Sequence, residues 1–380
     1  MTDSAPIYLD CNATTPVEPR VFEAMEPYLK EEFGNAGSRT HEYGTRAAKA
    51  VKKARQQVAA VVEASPSEVI FTSGATEANN MAILGLEAYG RRTGRMHIIS
   101  TQIEHKAVLE PLERLEQRGF EVELAPPTED GDIQAAEIER RLRNDTLLVS
   151  VMHVNNETGV VQPIQEISQI VANSNAFFHV DGAQGFGKEL THLTTLGIDL
   201  ISISGHKLYA PKGIGALIAR NSNRVKRALE PIMVGGGQEQ GLRPGTLPTP
   251  LIVGFGTAAE LSQHDHNNWK EIWNNHYQQM ETLILSLGGI IHGSNNARLK
   301  NTISFSISTI DSEAVILALR DIASISNGSA CTSSTIEHSH VLQSMYPNTD
   351  TPSTVCRASW CHMTPQIPTK AIYRAITTLA

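Results

Sequence analysis

The chain has 380 residues, 41% of them hydrophobic, and a formal net charge of -8 at pH 7. That length and apolar share suffice for one large or two ordinary domains with real cores. The acidic balance argues against direct nucleic-acid binding, which favours basic patches. No apolar run approaches the ~20 residues of a membrane span, and the polar N-terminus does not read as a signal peptide, so a soluble, cytoplasmic protein is expected. The four cysteines, Cys11, Cys331, Cys356 and Cys361, are too few for a disulfide framework. They are too irregularly spaced for a zinc site, and no metal is expected.

Residues 7–10 read as a short strand that runs into the polar turn Cys11-Asn12-Ala13-Thr14-Thr15-Pro16. A glycine-rich loop follows at 33–38. Apolar residues then recur at helical spacing over 43–62 (Ala47, Ala50, Val51, Ala54, Val58, Val61), which predicts an amphipathic helix. Residues 68–71 form a strand, followed by the small-residue turn Thr72-Ser73-Gly74-Ala75-Thr76 and a helical segment from Met81. Strand, small turn, helix start is a geometry that holds a phosphate, because free N–H groups and the positive helix end face the anion. It is neither a Walker loop nor GxGxxG, which disfavours a triphosphate or dinucleotide.

Further strands are predicted at 96–101, 146–154, 176–180 and 198–203, with a helix opening at Glu104-His105-Lys106. Strands alternating with helices imply a mostly parallel sheet with both faces covered. Each strand end delivers a polar group: Thr76, His105, Asn156, Asp181 with Gln184, then Ser204, His206 and Lys207. Such ends converge on one crevice in an open α/β sheet. Each group taken alone also reads as a satisfied cap, and Lys207 alone reads first as a solvated loop lysine. The stretch 235–248 is too glycine-rich for helix or strand and reads as an ordered loop or lid. Residues 250–287 read as one long helical stretch, after which short strands and helices begin near Gly288.

A lysine able to form a Schiff base, an anion cradle for one phosphate and a strand-end aspartate together point to pyridoxal 5′-phosphate. Lys207 would carry the cofactor, its amine desolvated and lowered in pKa. Asp181 would pair with the pyridine nitrogen, and the turn Gly74-Ala75-Thr76 would take the phosphate. His105 would stack on the ring. Asn156 and Gln184 would bond the ring oxygen or the substrate.

On its motifs the chain resembles the cysteine desulfurases, in the class V aminotransferase branch of fold-type-I pyridoxal phosphate enzymes. The likeness runs nearly the whole length. Its motifs include Phe71-Thr72-Ser73-Gly74-Ala75-Thr76-Glu77, Glu104-His105-Lys106, His153-Val154-Asn155-Asn156-Glu157, His179-Val180-Asp181, Ser204-Gly205-His206-Lys207, Gly245-Thr246-Leu247-Pro248 and Gly328-Ser329-Ala330-Cys331-Thr332-Ser333. The resemblance implies an α/β fold: a large domain over 13–261 with a mostly parallel sheet, and a smaller α+β domain from 1–12 and 262–380. It implies Lys207 as the cofactor lysine, Asp181 as the pyridinium partner, and His105 as the stacking and proton-transferring group. Gln184 would contact the phenolic oxygen, and Thr76, Ser204 and His206 the phosphate. Thr246 would reach the cofactor of the other subunit of a homodimer. Asn156 and Arg357 would hold the carboxylate of L-cysteine, and Cys331 would accept sulfur as a persulfide for an acceptor protein.

Some positions depart from the family pattern. Gln240 stands where relatives often carry arginine, Cys361 and His362 replace glycine and arginine, and Cys11 replaces a bulkier residue. The 33–43 stretch and the 360–365 end are more similar to the desulfurase of bacterial DNA phosphorothioation. A general iron–sulfur or tRNA-thiolation desulfurase, a selenocysteine lyase or aminotransferase of the same fold, and a non-catalytic scaffold stay open from sequence.

Overall fold

Twelve strands build three sheets in the computed structural model, which describes residues 5–220, 222–293, 295–307, 310–327, 339–347, 349 and 351–379. In chain order the strands are β1 (Ile7–Tyr8), β2 (Val69–Thr72), β3 (His97–Thr101), β4 (Glu121–Ala125), β5 (Thr146–Met152), β6 (Phe177–Asp181), β7 (Leu200–Ser204), β8 (Gly215–Ala219), β9 (Gly289–Ile291), β10 (Thr302–Ile307), β11 (Ala323–Ser324) and β12 (Val355–Ser359). The seven-stranded sheet has the order β2-β8-β7-β6-β5-β3-β4. It is parallel from β7 through β4, as expected.

The exception is β8, antiparallel to both neighbours. The sequence reading assigns no strand to 215–219, because it takes the chain to turn through Pro211 and Gly213. The insertion matters for the site. Two antiparallel steps leave β2 parallel to β7, so the β2 end opens on the same edge as the others. Gly215 is required there, since a Cβ on it would lie 2.4 Å from the Ile203 carbonyl oxygen and 2.6 Å from Gly74 Cα. Only a bare backbone lets β8 run against the turn after β2.

Both faces of the central strands are dry. Ile99, Phe178, Val180, Ile201, Ala216 and Ile218 enter one core, while Ile98, Phe177, Leu200, Leu217 and Ala219 enter the other. That is the two-residue period of a strand buried on both sides. The predicted amphipathic helix spans Glu42–Val61, buries Ala47, Val51, Ala54 and Val58, and packs on Thr249–His264. The single helical stretch expected over 250–287 is two helices, Thr249–His264 and His266–Ser286, broken at Asp265.

Two smaller sheets close the fold near the site. β12, β10 and β9 form an antiparallel sheet, and β1 pairs in parallel with β11. The chain just past β1 is stitched to β12: the Cys11 N–H donates to the Ser359 carbonyl at 3.2 Å, and the Asn12 N–H to Ser359 Oγ at 2.9 Å.

Candidate active site

The strand ends meet at one cavity of about 470 Å³, lined among others by Asn12, Gly74, Thr76, His105, Asn156, Asp181, Gln184, Ser204, His206, Lys207 and Arg357. Ala75 lines it too. Thr246 is exposed and does not line this cavity, and Cys331 lies outside the described residues.

Asp181 ends β6 with 5% of its surface exposed. Asn79 Nδ2 donates to its Oδ2 at 2.8 Å, and the Ala183 N–H donates to its Oδ1 at 2.9 Å. Two donors on two oxygens fix the carboxylate plane. Asn79 itself is fully buried on the helix Ala75–Leu84. Sequence reasoning missed it, since its task is defined only by a contact 102 positions away.

Lys207 closes the short helical turn Gly205–Lys207 after β7. The amine was expected to be desolvated. Instead it is half-buried and donates to two main-chain carbonyls, those of Asn12 and Ala13, the latter at 2.8 Å. Strong acceptors replace the lost water, so burial is compensated. The same Asn12 carbonyl accepts from Gln184 Nε2 at 2.9 Å, and Asn12 Nδ2 donates to the Asn156 carbonyl at 3.0 Å. Asn12 thus ties three predicted site residues together. Its only sequence signal was a polar turn after a short strand.

The anion cradle takes shape at the start of Ala75–Leu84, where Gly74 is the N-cap and supplies no side-chain cap. The first N–H groups of that helix therefore face the cavity with the positive dipole end. Glu77, in the first turn, would repel an anion, but Arg243 Nε binds its Oε1 at 2.9 Å and holds its carboxyl below the ordinary value against the cost of burial. Ser204 is buried beside this turn. His206 accepts or donates at Thr14 Oγ1 at 3.1 Å, and burial, then neighbouring Lys207, lowers it to about 4, so it is neutral at pH 7. Lys212 also lines the cavity and adds positive charge.

His105 caps the helix Lys106–Glu116, its Nδ1 accepting from the Ala107 N–H at 3.0 Å. That bond fixes which ring nitrogen carries no proton. Beside it Glu104 is fully buried and pushed up to about 8 by desolvation, then by Asp181. It accepts from the Met152 N–H at 2.7 Å and Thr101 Oγ1 at 2.9 Å. Arg357, on β12, is 2% exposed; Nη2 binds Asp10 Oδ1 at 2.7 Å and Nη1 the Asn156 carbonyl at 3.1 Å. Its Nε has no hydrogen-bond partner among the described residues. A cavity-lining guanidinium is suited to a carboxylate.

The family departures also find places. His362 stacks on Trp269, with ring centroids 4.3 Å apart, and pairs with Glu18 at 2.6 Å. Gln240 sits at φ 62° and donates to the Ser67 carbonyl at 2.8 Å.

The class-V aminotransferase family model matches residues 7–367. The chain belongs to the class-V aminotransferase family. It is 45% identical to "Cysteine desulfurase, mitochondrial" of Drosophila melanogaster over 354 residues, 92% of this chain and 75% of that one. A solved NifS-like protein superposes with a TM-score of 0.89 at 34% identity, covering 98% of this chain and 99% of the other. DndA from Streptomyces lividans gives 0.81 at 45% identity, covering 95% and 99%. The chain is accordingly an enzyme of the cysteine desulfurase type, and its cofactor is pyridoxal 5′-phosphate. The site fits that group. An uncapped helix start and neutral His206 suit a phosphate, and a doubly held carboxylate suits a ring nitrogen. The lysine amine rests on carbonyls that it can leave.

Proposed function

We propose that Lys207 holds the cofactor, that Cys331 takes the sulfur of L-cysteine as a persulfide with release of L-alanine, and that the acceptor belongs to DNA phosphorothioation. The observation that carries the residue roles is the convergence of Lys207, Asp181 and Arg357 on one cavity from three separate strands. When bound, the cofactor supplies an electron sink for the bond pair released at the substrate α-carbon.

The chain's own residues do the rest. Asp181 keeps the ring nitrogen protonated, being anchored by Asn79 and Ala183. Arg357 and Asn156 orient the substrate carboxylate. His105 Nε2 moves the proton, since Nδ1 is committed to the Ala107 N–H. Thr76, Ser204, His206 and the N–H groups after Gly74 hold the phosphate, and Gln184 approaches the phenolic oxygen. The overall exchange balances: cysteine plus the Cys331 thiol gives alanine plus the Cys331 persulfide.

The reading also includes a large domain over 13–261, a small one from 1–12 and 262–380, and a homodimer in the cytoplasm with Thr246 reaching across. Exposed Thr246 and the apolar run Ile232, Met233 and Val234, the last 85% exposed, support a pairing face. Likeness to DndA at 45% identity supports the phosphorothioation assignment.

The test is Cys331→Ser beside Lys207→Ala. The first is expected to keep the cofactor's colour and lose sulfide release, and the second to be colourless. Full-rate sulfide release by Cys331→Ser would overturn the persulfide step. Light scattering that found a monomer would overturn the dimer.

A further inference from the structure

The stretch 359–362 grips a second stretch, 11–18, at both ends. At one end Ser359 accepts from the Cys11 and Asn12 N–H groups. At the other, His362 Nε2 meets Glu18 Oε2 at 2.6 Å. Arg20 Nε donates to the other Glu18 oxygen at 2.7 Å. The carboxylate therefore accepts on both sides, and the imidazole donates from Nε2. His362 Nδ1 is buried with no hydrogen-bond partner among the described residues, so packing completes the hold on the ring. The Trp269 indole stacks on it, with centroids 4.3 Å apart and planes 9° from parallel. The Tyr209 ring stands edge-on, 4.6 Å from His362 and 5.0 Å from Trp269. Tyr209 and Trp269 are both buried.

Between the two grips lies the support of the lysine turn. The Asn12 and Ala13 carbonyls accept from Lys207 Nζ, and Thr14 Oγ1 bonds His206 Nδ1 at 3.1 Å. The Thr15 N–H and hydroxyl both donate to the His206 carbonyl, at 3.1 and 3.0 Å. Thr15 Oγ1 accepts from the Tyr209 N–H at 3.0 Å, and the Glu18 N–H donates to the Tyr209 carbonyl at 3.0 Å. Tyr209 needs these bonds. Its φ is 62°, a region where a bulky side chain is strained and persists only when its surroundings over-determine it. Three restraints meet there: the N–H on Thr15, the carbonyl on Glu18, and the ring against His362 and Trp269. His362 serves two of them, one by direct ring contact and one through Glu18.

We propose that His362 is a positioning residue for Lys207. By fixing Glu18 and the Tyr209 ring it holds the turn 205–209 in the conformation that brings the amine to the cavity. The inference rests on Lys207 being the cofactor lysine. His362 does not line the cavity, so its effect on the reaction is exerted through the turn. Such an effect can be large, because a misplacement of about 1 Å from a distant substitution can cost about a hundred-fold in rate. Its partners are drawn from three parts of the chain: Glu18 from the first twenty residues, Tyr209 from beside the lysine, and Trp269 from the helix His266–Ser286.

The test compares full-length holoenzyme with three variants: His362→Ala, His362→Gln, which keeps a donor for Glu18, and His362→Phe, which keeps the stack and with it the fold. Two measurements are made on each. One is the pH midpoint of the absorbance of the cofactor bonded to Lys207, without substrate. The other is kcat and KM for L-cysteine. In His362→Ala the midpoint is expected to move by about half a pH unit or more, because the surroundings of the amine change, and kcat to fall about ten-fold. KM is expected to stay within about two-fold, since Arg357 keeps its own bonds to Asp10 and Asn156. The glutamine and phenylalanine variants are each expected to fall between parent and alanine. A midpoint and kcat unmoved in both His362→Ala and His362→Phe would overturn the proposal, whatever their melting temperatures, because His362 would then only pack. Lys207→Ala, run alongside, separates the two claims. A band that survives it overturns the assignment of Lys207 and this inference with it; a band lost there and unmoved in the His362 variants overturns this inference alone.

Discussion

Replacing Glu239 with alanine should loosen the turn that holds the phosphate without touching it. Its carboxylate, 2% exposed, accepts from Arg55 Nη1 at 2.8 Å and Nη2 at 2.5 Å, and from the Phe71 N–H at 2.7 Å. Phe71 lies on β2, three residues before Gly74. Arg55 also lies over the Phe71 ring, 4.6 Å from its centroid. The same bonds hold Glu239 at φ 47° and Gln240 at φ 62°, where non-glycine residues are strained. Alanine would leave a mostly buried guanidinium and a buried N–H without their acceptor, a loss of about 3–5 kcal/mol. For 380 residues at about 2.1 cal/mol/K each, the melting temperature should fall by about 4–6 °C. Glu239→Gln keeps one acceptor oxygen and should lose about half as much. The double variant Arg55→Met/Glu239→Leu should recover part of the loss, because no charge is left buried and unpaired. Calorimetry of the four proteins at one scan rate reads this. A Glu239→Ala protein melting within about 1 °C of its parent would refute the reasoning.

Three further outcomes are expected. Asn79→Leu should weaken cofactor binding roughly ten- to hundred-fold, the worth of a hydrogen bond to a charged group, about 1.5–3 kcal/mol; titration of the apoprotein by absorbance measures it, and an unchanged constant would count against the anchoring role. Gly215→Ala should displace the turn at Gly74, cost about 1–3 kcal/mol by overpacking and lower cofactor retention on gel filtration. Burial pushes Glu157 up to about 7, with Ser339 Oγ donating to it. The folded state therefore holds this proton more tightly than the unfolded one, and stability falls as pH rises between the carboxyl's ordinary value, 4.5, and about 7. Urea unfolding at pH 5 and pH 8 should show Glu157→Gln losing less stability than the parent over that interval; equal losses would show that Glu157 does not titrate there.

Much of this was legible in the chain because each central strand is an apolar run with one polar residue at its end. Asp181, Ser204 and Asn156 announce themselves by interrupting that pattern, and the parallel sheet then brings them together. β8 escaped because Pro211 and Gly213 read as a turn, and Gly215, which is there for the close approach to Gly74, gave no strand signal. The break at Asp265 escaped because apolar spacing continues across it. Asn79 carries no local signal, and Asn12 only that of a polar turn. Their importance comes from partners more than a hundred positions away, which only the folded backbone brings within reach. The amine of Lys207 was expected to be desolvated for a similar reason: two main-chain oxygens from the first dozen or so residues have no signature in side-chain chemistry.

Those oxygens impose an order of assembly. Residues 10 to 12 are set by β12, through Ser359 and Arg357. A ribosome that has emitted everything up to residue 350 has made the whole seven-stranded sheet and the lysine, yet residues 10 to 12, tethered through β1 on β11, still lack the anchors of β12. Loading of the vitamin-derived group should therefore lag synthesis until the strand 355–359 clears the exit tunnel.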